Sequence, residues 1–180
     1  MCCIDKYFKR VILLTYLMMG FCCYAQDNDK PKLNFKSWSF TPELYEFSNR
    51  TSETFSGILP LSLSIDFTYA LSNNLFSFSA SYGGETGVFS GSANYKQMSL
   101  LYGREFVLED WFLVETHLGG GMFFYGSSDL EENISEFAVP LVGKVRFKTG
   151  ERFSVGLRFT YIFNSFNNLY SGGLLLQWNY

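Results

Sequence analysis

The feature that most constrains this chain is a two-residue rhythm that returns in segment after segment from position 37 onward. In Ile58–Ala70, Leu59, Leu61, Leu63, Ile65, Phe67 and Tyr69 alternate with Pro60, Ser62, Ser64, Asp66, Thr68 and Ala70. Successive side chains of a strand point to opposite faces, whereas an amphipathic helix repeats every 3.6 residues, so this pattern predicts strands. Arg152–Phe163 repeats it, with Phe153, Val155, Leu157, Phe159, Tyr161 and Phe163 set against Ser154, Gly156, Arg158, Thr160 and Ile162. Eight segments follow the rule: Ser37–Phe47, Ile58–Ala70, Leu75–Gly83, Tyr95–Phe106, Trp111–Tyr125, Phe137–Phe147, Arg152–Phe163 and Leu169–Tyr180. None carries a helical stripe, and the predicted class is all-β.

The connections have a rhythm of their own. Ser48–Gly57, Gly84–Asn94, Gly126–Glu136 and Asn164–Asn168 with its polar flanks are the longer ones; Leu71–Asn74, Val107–Asp110 and Lys148–Glu151 are tight turns. In an antiparallel meander, odd connections share one end and even connections the other. Long loops at one end and short turns at the other are the habit of outer-membrane barrels, which places both termini in the periplasm.

Alternation alone leaves open which face points outward. A soluble lipocalin-like carrier would alternate too, with its apolar face inward and a Lys- and Glu-rich face in water. Here the polar set is mostly Ser, Gly and Thr with isolated ions of both signs: Glu43, Asp66, Glu105, Glu115, Lys144, Arg146 and Arg158. That set suits a narrow barrel interior. Aromatic residues recur at segment ends (Trp38, Tyr69, Tyr82, Phe106, Phe112, Phe124, Phe147, Phe153, Trp178, Tyr180), as in the girdles at membrane interfaces. A chain that is 19% aromatic and only 17% charged fits this picture. The expectation is an eight-stranded antiparallel up-and-down transmembrane β-barrel over residues 37–180, closed because open edges are untenable in hydrocarbon.

Ahead of it, Lys6, Lys9 and Arg10 precede an apolar run from Val11 to Tyr24, and Cys23 and Ala25 form a small-x-small cleavage pattern ahead of Gln26. Residues 1–25 are expected to be a cleavable signal peptide and 26–36 a short periplasmic lead. All four cysteines lie in that peptide, so the exported chain would have no disulfide. Removing it also removes one acid and three bases, leaving 16 acidic and 11 basic residues. That balance argues against nucleic acid as a partner.

The closing string LLLQWNY places Leu174, Leu176, Trp178 and Tyr180 on one face and Gly173, Leu175, Gln177 and Asn179 on the other. It resembles the C-terminal assembly signal of small eight-stranded outer-membrane barrels, and residues 37–180 resemble the OmpA transmembrane domain and OmpX type as a whole. The resemblance implies that Trp178 and Tyr180 are read by the barrel-assembly machinery after escort by periplasmic chaperones. It further implies a monomer among outer-membrane lipid and lipopolysaccharide.

Candidate chemistry is sparse. His117, the only histidine, shares its inward parity with Glu115. A lipid A deacylase-like enzyme would need a serine nucleophile within reach and a base facing lipid or loops, and the pattern supplies neither, so no catalytic residue, cofactor or metal ligand is assigned. The inward charges Glu43, Asp66, Glu105, Glu115, Lys144, Arg146 and Arg158, with His117, must pair in so narrow an interior. An ionic plug is the expected reading, and a gate or proton path the alternative. The acidic loop Ser127–Glu136 is expected to be solvated. Pro42 predicts a bulge or a displaced strand boundary, Gly119-Gly120-Gly121 a register slip, and Arg104 a lipid-facing cation near the periplasmic end.

Overall fold

Each of the eight alternating segments becomes a strand in the computed structural model, which describes residues 32–48, 60–85, 93–127 and 133–180. They are β1 (Asn34–Phe47), β2 (Pro60–Leu71), β3 (Asn74–Glu85), β4 (Ala93–Glu109), β5 (Phe112–Ser127), β6 (Ile134–Lys148), β7 (Phe153–Asn164) and β8 (Leu169–Asn179). Every strand pairs antiparallel with its sequence neighbours, and β8 returns to β1, closing the barrel. The leader, the Ala25–Gln26 cleavage position, most of the first and third loops and residues 128–132 of the fifth lie outside the described residues.

Parity assigns the faces. On β2, Ser62, Ser64, Asp66 and Thr68 are buried, while Leu61, Leu63, Ile65 and Phe67 are between 40% and 49% exposed. The same holds around the wall, with Phe76, Phe78, Met98, Leu100, Leu141, Leu157, Phe159 and Leu174 outward. A soluble carrier would present the opposite face. So large a continuous apolar exterior needs an apolar solvent. The girdle aromatics are outward as well, and near the seam Trp38 and Trp178 stack with ring centroids 4.3 Å apart.

Two local expectations are corrected. Pro42 causes no register shift: it stays opposite Leu63 on β2, and the β1–β8 ladder skips only Thr41 and Pro42 before resuming in the same register. Proline removes a donor without adding a residue, so pairing lapses and register survives. Gly119–Gly121 cause no slip either, and pairing with β4 runs unbroken from Ala93 to Val107. These glycines serve close approach. A Cβ on Gly119 would lie 2.0 Å from the Leu100 carbonyl, and one on Gly121 2.0 Å from that of Met98.

The irregularities fall elsewhere, between Phe35 and Ser37 and between Val107 and Glu109. The first leaves Lys36 without a partner on β2 and turns an outward-parity side chain into the barrel mouth, where its ammonium meets Glu105 at 2.7 Å. Re-aiming a side chain is what a bulge does. Arg104 faces outward opposite Asn74, beside the Ser72–Asn73 turn.

Candidate functional site: the charged barrel interior

The strand register brings the inward ions together. Cross-strand register partners run Glu105–Glu115–Lys144–Arg158–Gly173–Glu43 around the wall through β4, β5, β6, β7, β8 and β1. Like charges stand side by side in this row, Glu105 with Glu115 and Lys144 with Arg158. Opposite cross-strand neighbours of like charge destabilise a sheet unless a counter-ion bridges them, and here each pair has one. Arg146 reaches Glu105 and Glu115, both at 2.5 Å. Asp66, across the lumen on β2, accepts from Lys144 at 2.9 Å and Arg158 at 3.4 Å. Arg158 also pairs with Glu43. Gly173, between those two, has no side chain to block the reach; a Cβ there would sit 2.8 Å from Glu43 Cγ.

Hydroxyls and amides complete the shell. Ser39 donates to Asp66 at 3.1 Å, Ser171 to Glu43 at 2.7 Å, and Arg158 to Ser79 at 3.2 Å. At the mouth Arg146 donates to Asn179 at 3.3 Å, and Asn179 donates to Ser154 at 3.0 Å. His117 is 1% exposed; its Nε2 lies 3.2 Å from Glu115, and the missing Cβ of Gly103 makes room for its Nδ1 edge. Among the described residues the network holds four carboxylates (Glu43, Asp66, Glu105, Glu115) and four full cations (Lys36, Lys144, Arg146, Arg158). Charge balance of this kind is what makes buried ions tolerable. Lys36, supplied by the bulge, is the member that parity could not find.

Toward the long loops the interior changes character. Tyr45 and Phe47 of β1, Tyr95 of β4, Phe123 of β5, Ile162 of β7 and Leu169 of β8 form one buried cluster. Tyr95 and Phe123 stack at 5.7 Å, Tyr45 meets Tyr95 edge-on at 4.9 Å, and Phe47 meets Tyr125 at 5.5 Å. Sequence reasoning left this cluster out, although Tyr45 and Phe47 share the parity of Glu43, and Phe123 that of His117. On β8, Leu174 and Leu176 face outward beside Trp178, with Tyr180 exposed just beyond the strand, while Leu175 and Gln177 are buried inside.

No protein-family model matches the chain, and no curated protein matches it. Solved structures do. The chain is similar to the attachment invasion locus protein Ail of Yersinia pestis, at 14% identity and a TM-score of 0.52, over 83% of this chain and 98% of that one. It is similar to Neisserial surface protein A at 12% identity and a TM-score of 0.57, over 81% and 94%. The N-terminal β-barrel domain of Pseudomonas aeruginosa OprF matches at 12% identity and a TM-score of 0.51, over 83% and 100%. At these identities the likeness speaks for architecture: the chain has the fold of the small eight-stranded outer-membrane β-barrels.

Proposed function

We propose that this protein is a sealed outer-membrane barrel with a structural or surface-interaction role, its long loops facing the exterior and both termini the periplasm. The observation that carries this reading is the inversion of a soluble fold: an apolar exterior around a charged, internally paired and ring-capped interior. Eight strands enclose a space that side chains fill. Lipopolysaccharide and phospholipid are its surroundings. The outward ladder Leu174, Leu176, Trp178 and Tyr180 is the surface offered to the assembly machinery, with periplasmic chaperones escorting the unfolded chain.

A lipid-modifying role finds less support. His117 turns into the barrel, where its Nε2 meets the Glu115 carboxylate, so its ring does not meet a lipid ester. The test is migration of an outer-membrane fraction in SDS with and without boiling, for the native chain and one lacking Trp178–Tyr180. A heat-dependent shift in the native chain, lost on truncation, is expected. A soluble periplasmic protein with no shift would sink the membrane reading.

A further inference from the structure

Among the described residues the apolar exterior carries a 440 Å³ slot whose lining includes Thr116, Leu141, Gly143, Phe159, Tyr161 and Tyr170. Its origin lies in the register. Thr116, Gly143, Phe159 and Gly172 are successive cross-strand neighbours on the outward face of β5 to β8. Nothing lies within 4 Å of where a Gly143 Cβ would stand. The Phe159 ring leans the other way, 3.3 Å from the Cβ position of Gly172, and leaves the Gly143 side open. Tyr161 and Tyr170, with ring centroids 4.6 Å apart, close the slot toward the long loops. At the opposite end Thr116 is exposed, and directly across from it on β4 stands Arg104, outward and partly buried near the short turns.

We propose that this slot holds one acyl chain of a phospholipid of the periplasmic leaflet, whose phosphate sits against Arg104. The inference rests on the membrane-barrel reading. Three observations select the occupant. The walls are apolar and the width is that of a missing side chain, which suits an unbranched hydrocarbon tail. The cation stands at the short-turn end, where an inner-leaflet phosphate would lie, and basic residues beside membrane strands or helices attract such headgroups. A second copy of the chain is a poor fit, because a stable interface covers about 800 Å² per partner and the slot has only nine lining residues. Thr116 offers a hydroxyl at the glycerol level between phosphate and chain.

The test is a native mass-spectrometric titration of the full chain, purified from membranes in mild detergent, with dipalmitoyl phosphatidylglycerol. One lipid is expected to bind the native protein. Gly143→Leu, which fills the slot, abolishes that adduct; Arg104→Gln weakens it roughly tenfold, the worth of one charge-assisted hydrogen bond. Ala80→Leu, on the outward face of β3, binds as the native chain does. Equal binding by Gly143→Leu, equal binding of the phosphate-free dipalmitoylglycerol, or a doubled protein mass in place of the adduct would each overturn the proposal. Heat-dependent migration is read for every variant in parallel. If the native chain shows no shift, the barrel reading fails; if all variants shift and binding does not discriminate, the slot alone fails.

Discussion

Toward the short turns the barrel interior is held by ion pairs, and toward the long loops it is held by rings. The same strands build both halves. Along its inward parity β1 runs Ser37, Ser39, Thr41, Glu43, Tyr45, Phe47, and β5 runs Glu115, His117, Gly119, Gly121, Phe123. Backbone geometry is shared, so differences in behaviour between the halves come from side-chain chemistry. Rings stabilise through area and dispersion, without regard to direction. Buried ions are costly to desolvate, and what they supply is direction: each accepts a narrow set of partners. The ionic half therefore specifies which residues meet across the lumen, and the aromatic half supplies cohesion.

The sharpest way to break that division is to remove one ion. Arg158→Met leaves Glu43 and Asp66 with reduced compensation in an interior where both are at most 2% exposed. Stability to urea is expected to fall by about 5 kcal/mol, at the upper end for one deleted partner of a buried pair. A loss below that of a ring deletion would mean that water reaches the ionic half and solvates the orphaned carboxylates.

Phe123→Ala is the matching change in the other half. Phe123 is fully buried against Tyr95 and Phe47, and its truncation is expected to cost about 3 kcal/mol. The two variants also separate the halves by function. In planar bilayers the native barrel and Arg158→Met are expected to stay silent, because the ring cluster is intact. Phe123→Ala combined with Tyr95→Ala is expected to pass ions. Conductance in Arg158→Met alone would move the seal to the ionic half.

How much of this was legible in the sequence follows the same divide. Alternation located all eight strands to within three residues at either end, because a period of two is insensitive to tertiary context when one face meets lipid. Charges at inward parity stand out, since an ion has few reasons to occur in a membrane strand; Glu43, Asp66 and Arg158 announce themselves. Rings at inward parity do not. Tyr45, Phe47 and Tyr95 sit near strand ends, where aromatic residues are equally at home in an outward girdle. Lys36 was hidden for another reason: it falls in the stretch read as a lead before the first alternating segment, whereas β1 begins at Asn34 and the bulge turns Lys36 inward. Pro42 and the three glycines pointed to backbone irregularity, yet register is a collective property of nine or more pairings, and a single missing donor does not shift it.

The boundary between the halves can be probed with Gly121→Ala. Gly121 pairs with Ser99, and an added Cβ would fall 2.0 Å from the Met98 carbonyl and 2.8 Å from the Ser99 hydroxyl. The obstacle is backbone, so β4 and β5 must separate locally. A cost of about 2 kcal/mol is expected, typical of overpacking. Native stability in this variant would mean that the β4–β5 contact is looser than its geometry.

The smallest effect tests whether direction matters even for neutral groups in the ionic half. The hydroxyls of Thr68 and Ser77, on neighbouring strands, are 2.8 Å apart and both residues are buried. Thr68→Val keeps the shape and strands the Ser77 hydroxyl, which is expected to cost about 1 kcal/mol. Adding Ser77→Ala removes the stranded group, and the double variant is expected to recover most of that loss, since deleting both partners is close to neutral. A ring deletion has no such remedy, because a second truncation enlarges the cavity. If the double variant instead loses more than the single one, the two hydroxyls contribute packing rather than partnership, and the contrast between a directional half and a cohesive half does not extend beyond the ions.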